Sequence, residues 1–302
     1  MNKLDFYTKL YQSLYGRPWL PSKAWSCLRW LVRNLSWLRI PSYLKKENRG
    51  KTSTEIPVYV SFTSFPERIN YVWQVVECMY RQTYLPEKII LWLSKDQFPE
   101  MSTIPQSLTS RLSNRFEIRF VDGDIRSHKK YLYISREYPD RYVFLIDDDL
   151  YYPTDILEKT WKAHLKYPNS IISNYGYRMS FNADGTLKPY SQWKRNYSFS
   201  TIKNLFFGSG GGTLFVPERM DSDLTKEEIA TKLTPLADDV WLNTMARSAN
   251  YHVVMLDNGI ILPYRIKKKR KLSPTNLEEG LNDRQIRAVI DYYGAKTFSC
   301  TN

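Results

Sequence analysis

Residues 141–155 read RYVFLIDDDLYYPTD, a run of apolar residues that leads directly into Asp147, Asp148 and Asp149. An apolar run of this length, bounded by polar residues, predicts a buried strand over residues 141–149. Three adjacent like charges repel one another, and a fold holds them only where something positive lies among them. The question for the rest of the chain is what supplies that charge.

The segment belongs to a region in which strand and helix patterns alternate. Further strands are predicted at 58–64, 88–94 and 116–123, and helices at 66–82 and 127–139. Strands and helices at this spacing predict βαβ units, and so an α/β fold with a mainly parallel sheet and helices on both faces. Ligands of such sheets bind beyond the carboxyl ends of the strands, where the three aspartates fall.

The charge of the chain is unevenly distributed. The 302 residues carry a formal net charge of +13, and 42% of them are hydrophobic, enough for a large core. Residues 1–50 hold ten lysines and arginines against two acidic residues. A basic chain of this kind predicts a polyanionic partner: nucleic acid, an anionic membrane surface or a phosphorylated substrate.

Residues 1–50 form a basic, aromatic segment distinct from the domain predicted over 57–302, with a polar linker at 45–57. Pro18 and Pro21 divide the segment into helices. Leu31, Leu35 and Leu38 fall on one helical face, among tryptophans and arginines. This pattern is typical of a helix at an anionic bilayer interface, and equally of a helical hairpin packed on the domain or on a second copy of itself.

Targeting and redox signals are sparse. No run of 18 apolar residues and no secretory signal is present, which predicts a cytoplasmic protein, soluble or peripheral on the inner face of the cytoplasmic membrane. Cys27, Cys78 and Cys300 lack metal-ligand spacing and are expected to be reduced thiols.

The three aspartates have the composition of a metal site. Residues i and i+2 of an extended chain share a face, so Asp147 and Asp149 are expected to point the same way and Asp148 the opposite way. Hard divalent ions such as Mg²⁺ or Mn²⁺ are commonly held by one or two carboxylates together with substrate phosphates. The alternative is an acidic surface loop.

The segment VFLIDDDLYYP, preceded by SFTSFPER and followed by ADDVWLN, resembles the nucleotide-sugar glycosyltransferases of the GT-A fold. The likeness is to family-two-like bacterial enzymes of capsule and lipopolysaccharide assembly, and it covers roughly residues 57–265. It implies a Rossmann-like catalytic domain that uses a UDP-sugar donor and a glycan or lipid-linked glycan acceptor. It also implies that Asp147 and Asp149 bind Mn²⁺ or Mg²⁺, with Asp148 close to the donor sugar or ribose.

The same resemblance implies a nucleotide site. It places Thr63, Ser64 and Arg68 in the first strand-to-helix turn, where the nucleoside docks. Asp96, after the second strand, is the candidate for binding the base. Lys129 and Lys130, on the first turn of a helix, are expected either to reach the nucleotide or its phosphates or to form a solvated helix face.

Two further segments bear on the substrate. Four glycines lie within LFFGSGGGTLFVP, and the resemblance places Gly210 and Gly211 beside the donor sugar and acceptor. The cationic stretch 264–276 contains Lys268 and predicts a loop that closes over the donor diphosphate, or one that touches anionic lipid or a phosphorylated acceptor.

Asp238 and Asp239 are predicted to begin a helix. An inverting sugar transfer needs a carboxylate base that deprotonates the acceptor hydroxyl. The resemblance assigns that base to Asp239, with Asp238 in the position of a glutamate, although helix capping would also explain either residue. Two alternative functions stay open, a nucleotidyltransferase of sugar phosphates and a basic nucleic-acid-binding protein.

Overall fold

A computed structural model describes residues 1–15, 22–46, 54–257, 262–264 and 280–299. The helices of this part of the chain are α1 (Lys3–Ser13), α2 (Ser22–Leu44), α3 (Trp73–Tyr80), α4 (Gln106–Thr109), α5 (Lys129–Glu137), α6 (Ile156–Lys166), α7 (Glu227–Leu233), α8 (Asp238–Ser248) and α9 (Leu281–Tyr293). The strands are β1 (Thr54–Thr63), β2 (Tyr84–Ser94), β3 (Phe116–Val121), β4 (Tyr142–Ile146), β5 (Leu150–Tyr151), β6 (Ser170–Ser173), β7 (Gly176–Arg178), β8 (Lys194–Arg195), β9 (Leu205–Phe207), β10 (Gly211–Phe215), β11 (His252–Met255) and β12 (Leu262–Pro263).

Seven of these strands form one sheet in the order β11-β6-β10-β4-β1-β2-β3. Neighbouring strands are parallel except at β10, which runs antiparallel to both β4 and β6. Strands β4 and β1 therefore lie in the interior of the sheet, and their carboxyl ends meet at the same edge.

Helices cover both faces of the sheet, and each face has its own apolar core. Alternate residues of one strand enter different cores: Val60 packs with α3 and α6, whereas Tyr59 packs with α5 and α8. The predicted α/β class, a mainly parallel sheet with helices on both faces, is confirmed.

The N-terminal helices are part of the first of these cores. Leu4 of α1 and Ile40 of α2 are fully buried in it. The carboxylate of Asp5 accepts hydrogen bonds from the backbone N–H and the hydroxyl of Thr154, at 2.8 and 2.7 Å. Helices α1 and α2 thus pack on the domain, each through one of its faces.

Several predicted boundaries change in the structure. The helix expected over 66–82 is a 3₁₀ turn at Ile69–Tyr71 followed by α3, and strand β1 begins at Thr54, inside the expected linker. Strand β4 ends at Ile146, before the aspartates, whereas α8 begins at Asp238 as predicted. Within the described residues, no helix combines the length and the apolar character needed to cross a membrane.

Candidate active site

The three aspartates lie in a turn at the carboxyl end of β4. The chain leaves β4 at Ile146, turns through Asp148 and Asp149, and enters β5 at Leu150. The expectation of an extended chain through Asp147 and Asp149 is therefore wrong, because the backbone turns at Asp148 and Asp149. The side chain of Asp147 is 43% exposed, that of Asp149 27% and that of Asp148 5%.

Arg68 supplies one of the positive charges that the aspartates require. Its Nη1 lies 2.6 Å from Oδ1 of Asp148 and 3.0 Å from Oδ2 of Asp149. The hydroxyl of Ser64 donates to the other oxygen of Asp148, at 2.5 Å. The guanidinium group also lies over the ring of Phe65, 4.9 Å from its centroid. Burial raises the pKa of Asp149 to about 7, with the neighbouring aspartates adding to the effect and Arg68 opposing it.

Lys130 supplies the second positive charge. Its Nζ lies 2.8 Å from Oδ1 of Asp147 and 3.0 Å from Oδ2 of Asp238, and so joins the end of β4 to the start of α8. Burial opposes its charge, but these carboxylates raise the pKa of Lys130 above its ordinary value. Lys129 is also buried and forms an ion pair with Asp124. The alternative of a solvated helix face for the two lysines is wrong.

Asp238 and Asp239 open α8 without capping it. The N-cap position is Ala237, and no side chain caps this helix end. The hydroxyl oxygen of Ser209 lies 2.8 Å from Oδ2 of Asp238 and 2.6 Å from Oδ1 of Asp239, and the N–H of Ser209 donates to the same Asp239 oxygen at 2.8 Å. Capping as the whole role of either aspartate is therefore wrong.

The two carboxylates have opposite acidities. Burial would raise the pKa of Asp238, but Lys130 and the nearby His128 lower it to about 2. Burial and the negative charge of Asp238 raise the pKa of Asp239 to about 7, against the opposing effect of Lys130. Of the two, Asp239 has the affinity for a proton that a general base needs near neutral pH.

The glycine segment permits a close approach of backbone to side chain. A Cβ atom at Gly210 would lie 1.8 Å from Oδ2 of Asp147, so a side chain there would displace that carboxylate. Gly212 has a φ of +94° and would place a Cβ atom 2.7 Å from the ring of Phe144. The hydroxyl of Tyr152 donates to the Gly210 carbonyl and accepts from the N–H of Asp147 at 2.7 Å, which ties the two segments together.

Part of this set, three aspartates and three glycines, lines one cavity of about 510 Å³: Asp147, Asp238, Asp239, Gly208, Gly210 and Gly211. Its acidic end contains Asp147, Asp238 and Asp239, next to Gly210 and Gly211. A cavity of this volume is in the range of small-molecule sites.

Another part of the cavity lining is aromatic and includes the N-terminal helix, and we call it the aromatic wall. Tyr11 of α1 and Tyr15, which follows α1, belong to it, with ring centroids 5.4 Å apart. Tyr175 and Tyr177 form the adjoining part. The guanidinium group of Arg195, on β8, stacks over the ring of Tyr175 at 4.2 Å. Residues 1–15 therefore contribute directly to the candidate active site.

The residues predicted to bind the nucleoside, Thr63, Ser64, Arg68 and Asp96, are not among those that line the cavity. The hydroxyl of Thr63 donates to the carbonyl of Trp92 at 2.7 Å, at the ends of β1 and β2. Asp96 is exposed in the loop after β2. Ser64 and Arg68 hold the aspartate turn, as described above. Lys268 lies outside the described residues.

Four site residues were missed in the sequence: Ser209, Tyr152, Tyr11 and Tyr15. Ser209 stood inside the conspicuous glycine segment, and Tyr152 directly after the aspartates, so proximity to those motifs was the available signal. No pattern in the sequence connected residues 1–15 to the aspartates, because that contact is made only in the folded chain.

The donor set determines what metal the site could hold. In the described part of the chain, no cluster of three or more histidine, cysteine, aspartate or glutamate residues could hold a metal ion. Asp147 and Asp149 are the two partly exposed carboxylates of the aspartate turn, and each contacts a cationic side chain, Lys130 and Arg68 respectively. Such a set fits a hard divalent ion that takes its remaining oxygen ligands from a bound diphosphate and water, as Mg²⁺ and Mn²⁺ do.

The chain is similar to solved structures but not to any family model or curated sequence that it was compared with. No protein-family model matches the chain, and no curated protein sequence does. Among solved structures it is similar to S. aureus TarS residues 1–349 in complex with UDP, with 12% identity, a TM-score of 0.48, and coverage of 78% of this chain and 65% of that one.

Two other TarS 1–349 structures are also similar. The complex with UDP-GlcNAc has 13% identity, a TM-score of 0.45, and coverage of 77% of this chain and 65% of that one. The structure of TarS 1–349 without a named ligand has 13% identity, a TM-score of 0.45, and coverage of 77% and 64%. The chain spans slightly less than two thirds of the length of these TarS chains.

Proposed function

We propose that the protein is a glycosyltransferase that moves a sugar from a nucleotide-diphosphate donor, a UDP-sugar, to a growing bacterial surface glycan of the capsule or lipopolysaccharide type. The observation that carries the proposal is that Asp147 and Asp239 line one cavity, beside a glycine backbone. The two aspartates come from different elements, the end of β4 and the start of α8.

The cavity fits the needs of an inverting transfer. Asp239 would take the proton of the acceptor hydroxyl as the acceptor oxygen bonds to the anomeric carbon. The bond between that carbon and the diphosphate oxygen breaks at the same time, and its electron pair leaves with the diphosphate. A base with a pKa of about 7 is well matched to this step at neutral pH. The hydroxyl of Ser209, 2.6 Å from the carboxylate, orients it.

The donor would bind at the acidic end of the cavity, on the side of Asp147 and the aspartate turn rather than on the side of Asp239. Five carboxylates, Asp147, Asp148, Asp149, Asp238 and Asp239, surround two cations, Arg68 and Lys130, and this excess of negative charge favours a bound cation. Mn²⁺ or Mg²⁺ held by Asp147 and Asp149 would neutralise charge on the leaving diphosphate.

Nucleoside contacts are proposed for the ends of β1 and β2. Thr63, Ser64 and Arg68 follow β1, and Asp96 follows β2, at the edge of the sheet where ligands of α/β folds bind. Asp148 is more buried than expected for a ribose ligand, and its two oxygens already accept from Ser64 and Arg68. We therefore assign it to orienting Arg68. Lys268 is proposed to contact the diphosphate.

The acceptor would lie along the aromatic wall. Tyrosine rings bury the apolar face of a pyranose and offer hydroxyl groups to its rim. Tyr11, Tyr15, Tyr175 and Tyr177 line the cavity, and the hydroxyl oxygens of Tyr175 and Tyr177 lie 3.0 Å apart. A glycan that projects from the cavity past α1 is the acceptor class that this wall fits.

A thermal-shift assay with UDP, Mn²⁺ and their combination tests donor binding. A ligand that binds only the folded state raises its stability, so UDP with Mn²⁺ should raise the melting temperature more than either alone. UDP-sugars that bind are then tested for slow hydrolysis, and NMR of the product gives its anomeric configuration. No response to any nucleoside diphosphate, with or without metal, would overturn the proposal.

The same assay separates the two alternative functions. A nucleotidyltransferase would respond to a nucleoside triphosphate and release pyrophosphate when a sugar phosphate is added. A nucleic-acid-binding protein would respond to polyanions such as heparin and gain nothing from UDP. The carboxylates in the cavity disfavour this last function, because they repel a phosphate backbone.

A further inference from the structure

Helix α2 has two apolar faces, and the described part of the chain covers only one of them. Val32, Ile40 and Leu44 are buried in the core that α2 shares with the sheet. On another face, Leu28 is 38% exposed, Leu31 45%, Leu35 40% and Leu38 61%. Spacings of three and four residues align these leucines along one side of the helix.

The leucine stripe, defined as Leu28, Leu31, Leu35 and Leu38, runs for about 15 Å along the helix. Trp30, one of the most exposed large hydrophobic residues described, is 57% exposed beside it. Isolated exposed leucines are ordinary on protein surfaces, but four aligned on one helix are a mark of an interaction surface.

We propose that the leucine stripe docks on an anionic lipid bilayer. Exposed basic side chains are found at both ends of the helix, Lys23 at the start and Arg39, Lys45 and Lys46 toward the end. Leucines enter the boundary between headgroups and acyl chains, and the indole of Trp30 lies at headgroup depth. The lysines and arginine then meet anionic headgroups, which also attract the net charge of +13.

A second copy of the chain is the competing occupant of the stripe. Pairing two copies through this face would bring like-charged helix ends together, because Lys45 and Lys46 would face the same residues or Lys23 of the partner helix. An anionic surface has the opposite charge, so charge complementarity favours the bilayer.

The position of α2 gives the docking a consequence for the active site. Arg29 of α2 stacks over the ring of Tyr15 at 4.7 Å, and it donates to the carbonyl of Leu14 at 3.4 Å. Tyr15 belongs to the aromatic wall of the cavity. A helix that lies on the bilayer therefore holds the acceptor side of the cavity close to the lipid surface, where a lipid-linked glycan would be presented.

Vesicle flotation of the full chain tests the docking. The protein should float with vesicles of phosphatidylcholine and phosphatidylglycerol and stay unbound with pure phosphatidylcholine. Leu31→Ser with Leu35→Ser should lower the partition coefficient by about tenfold or more, because the apolar contact is lost. Replacing Lys45 and Lys46 by glutamine should lower it roughly fivefold for each residue.

A matched control separates the stripe from exposed leucines in general. Leu165, on α6, is 63% exposed and resembles Leu38 in exposure, so Leu165→Ser should leave flotation unchanged. The melting temperature of each variant shows that its fold is intact. The assay needs no donor or acceptor, so its result is independent of the proposed transfer reaction.

Two results would overturn the docking proposal. One is equal flotation of the wild-type chain and the Leu31, Leu35 variant. The other is a wild-type dimer in sedimentation velocity that the same variant converts to a monomer, with no binding of either protein to anionic vesicles. The second result would assign the stripe to a second copy.

Discussion

Asp148 and Asp149, in the turn after β4, share the guanidinium group of Arg68, whereas Asp238 and Asp239, at the start of α8, share the hydroxyl of Ser209. Both pairs contain one strongly buried carboxylate and one that is more open. The difference is in the charge of the shared partner. The guanidinium group of Arg68 is positively charged and forms ion pairs with both carboxylates of its pair, but a hydroxyl is neutral and has one proton, which it can donate to only one carboxylate at a time.

The neutral partner leaves Asp239 available as a base. Lys130 contacts Asp238 at 3.0 Å and lowers its pKa to about 2, so Asp238 stays ionised and its charge helps raise the pKa of Asp239 to about 7. In the turn after β4, Arg68 contacts both carboxylates instead. Asp149 also has a pKa raised to about 7, but it forms an ion pair with Arg68, whereas Asp239 accepts hydrogen bonds from the neutral Ser209.

The largest expected effect is on transfer by the Asp239→Asn variant. Asparagine keeps the oxygen that accepts from Ser209 and cannot take a proton from the acceptor. We expect kcat for transfer to fall by about 10² to 10⁴, the usual contribution of a general base. Stabilisation by UDP with Mn²⁺ should stay unchanged, because Asp239 does not contact the donor diphosphate in the proposed site.

Asp238→Asn is the matched control for that prediction. It should leave a measurable transfer rate while lowering the pH at which the rate rises, since the negative charge that raises the pKa of Asp239 is removed. A variant of Asp239 with normal turnover, together with an inactive Asp238→Asn variant, would reassign the base to Asp238.

The next effect is on stability and concerns Lys130, the cation between Asp147 and Asp238. Lys130→Met keeps roughly the length of the side chain and removes its charge, which leaves the buried carboxylate of Asp238 without this counter-charge. We expect a loss of about 3–5 kcal/mol in the free energy of unfolding, measured by urea titration at pH 7. Adding Asp238→Asn should restore part of that stability, because one of the uncompensated charges is gone.

Lys162→Met is the control for the Lys130 prediction. Lys162 pairs with Glu158 at 2.6 Å, but its side chain is 60% exposed. Water screens such a pair, so no measurable change in stability is expected. Equal effects of the two substitutions would show that Lys130 is not the buried counter-charge of the site.

A smaller effect separates the roles of the three adjacent aspartates. Asp147→Ala and Asp149→Ala should each weaken Mn²⁺-dependent UDP binding by about tenfold or more, because each removes a proposed metal ligand. Asp148→Asn should keep that metal dependence and lower the melting temperature, because it loses the ion pair with Arg68. Asp122, exposed and paired with Lys95, is the control: Asp122→Ala should change neither quantity.

Calorimetric titration of UDP in the presence and absence of Mn²⁺ measures this difference. If the wild type, Asp147→Ala and Asp149→Ala all bind UDP equally well with and without Mn²⁺, Arg68 and Lys130 are the positive charges that the site uses, and no metal is needed. The charge of the three adjacent aspartates would then be balanced by Arg68 and Lys130 alone.

The order of elements was predictable because it depends on local patterns. Apolar runs of strand length and the spacing between them gave β1 to β4, and the apolar positions Val240, Trp241 and Met245 gave the buried face of α8. The aspartates were found for the same reason, since a charged triplet after an apolar run is visible in the sequence itself.

The partners of those aspartates were not predictable, because they come from distant parts of the chain. Arg68 and Asp148 are 80 positions apart, and Tyr15 reaches the cavity because α1 packs against β12, which pairs with β5. The turn at Asp148 was missed because the apolar pattern indicates that a strand is present but does not define the residue at which it ends. A lysine on a helix, such as Lys130, reads as solvated until the helix is packed against the sheet.

The smallest expected effect is the pH dependence of stability that Asp239 imposes. Its pKa is about 7 in the folded chain and about 3.8 when unfolded, so folding favours the protonated form. The stability contributed by this group is complete below the unfolded value, falls as pH rises between the two values, and is lost above about pH 7. Asparagine, which does not titrate, avoids that loss.

Asp239→Asn should therefore be more stable than the wild type at pH 8 by about 1 kcal/mol, or about 2 °C in melting temperature, and equal to it near pH 4. This gain is smaller than the full free energy that corresponds to the difference between the two pKa values, because solvent screens the charge of the partly exposed Asp239. Thermal melts across this pH range measure the difference, with Asp122→Asn as an exposed control. A variant less stable than the wild type at pH 8 would show that Ser209 and Lys130 stabilise ionised Asp239, and the contrast between the two aspartate pairs would fail.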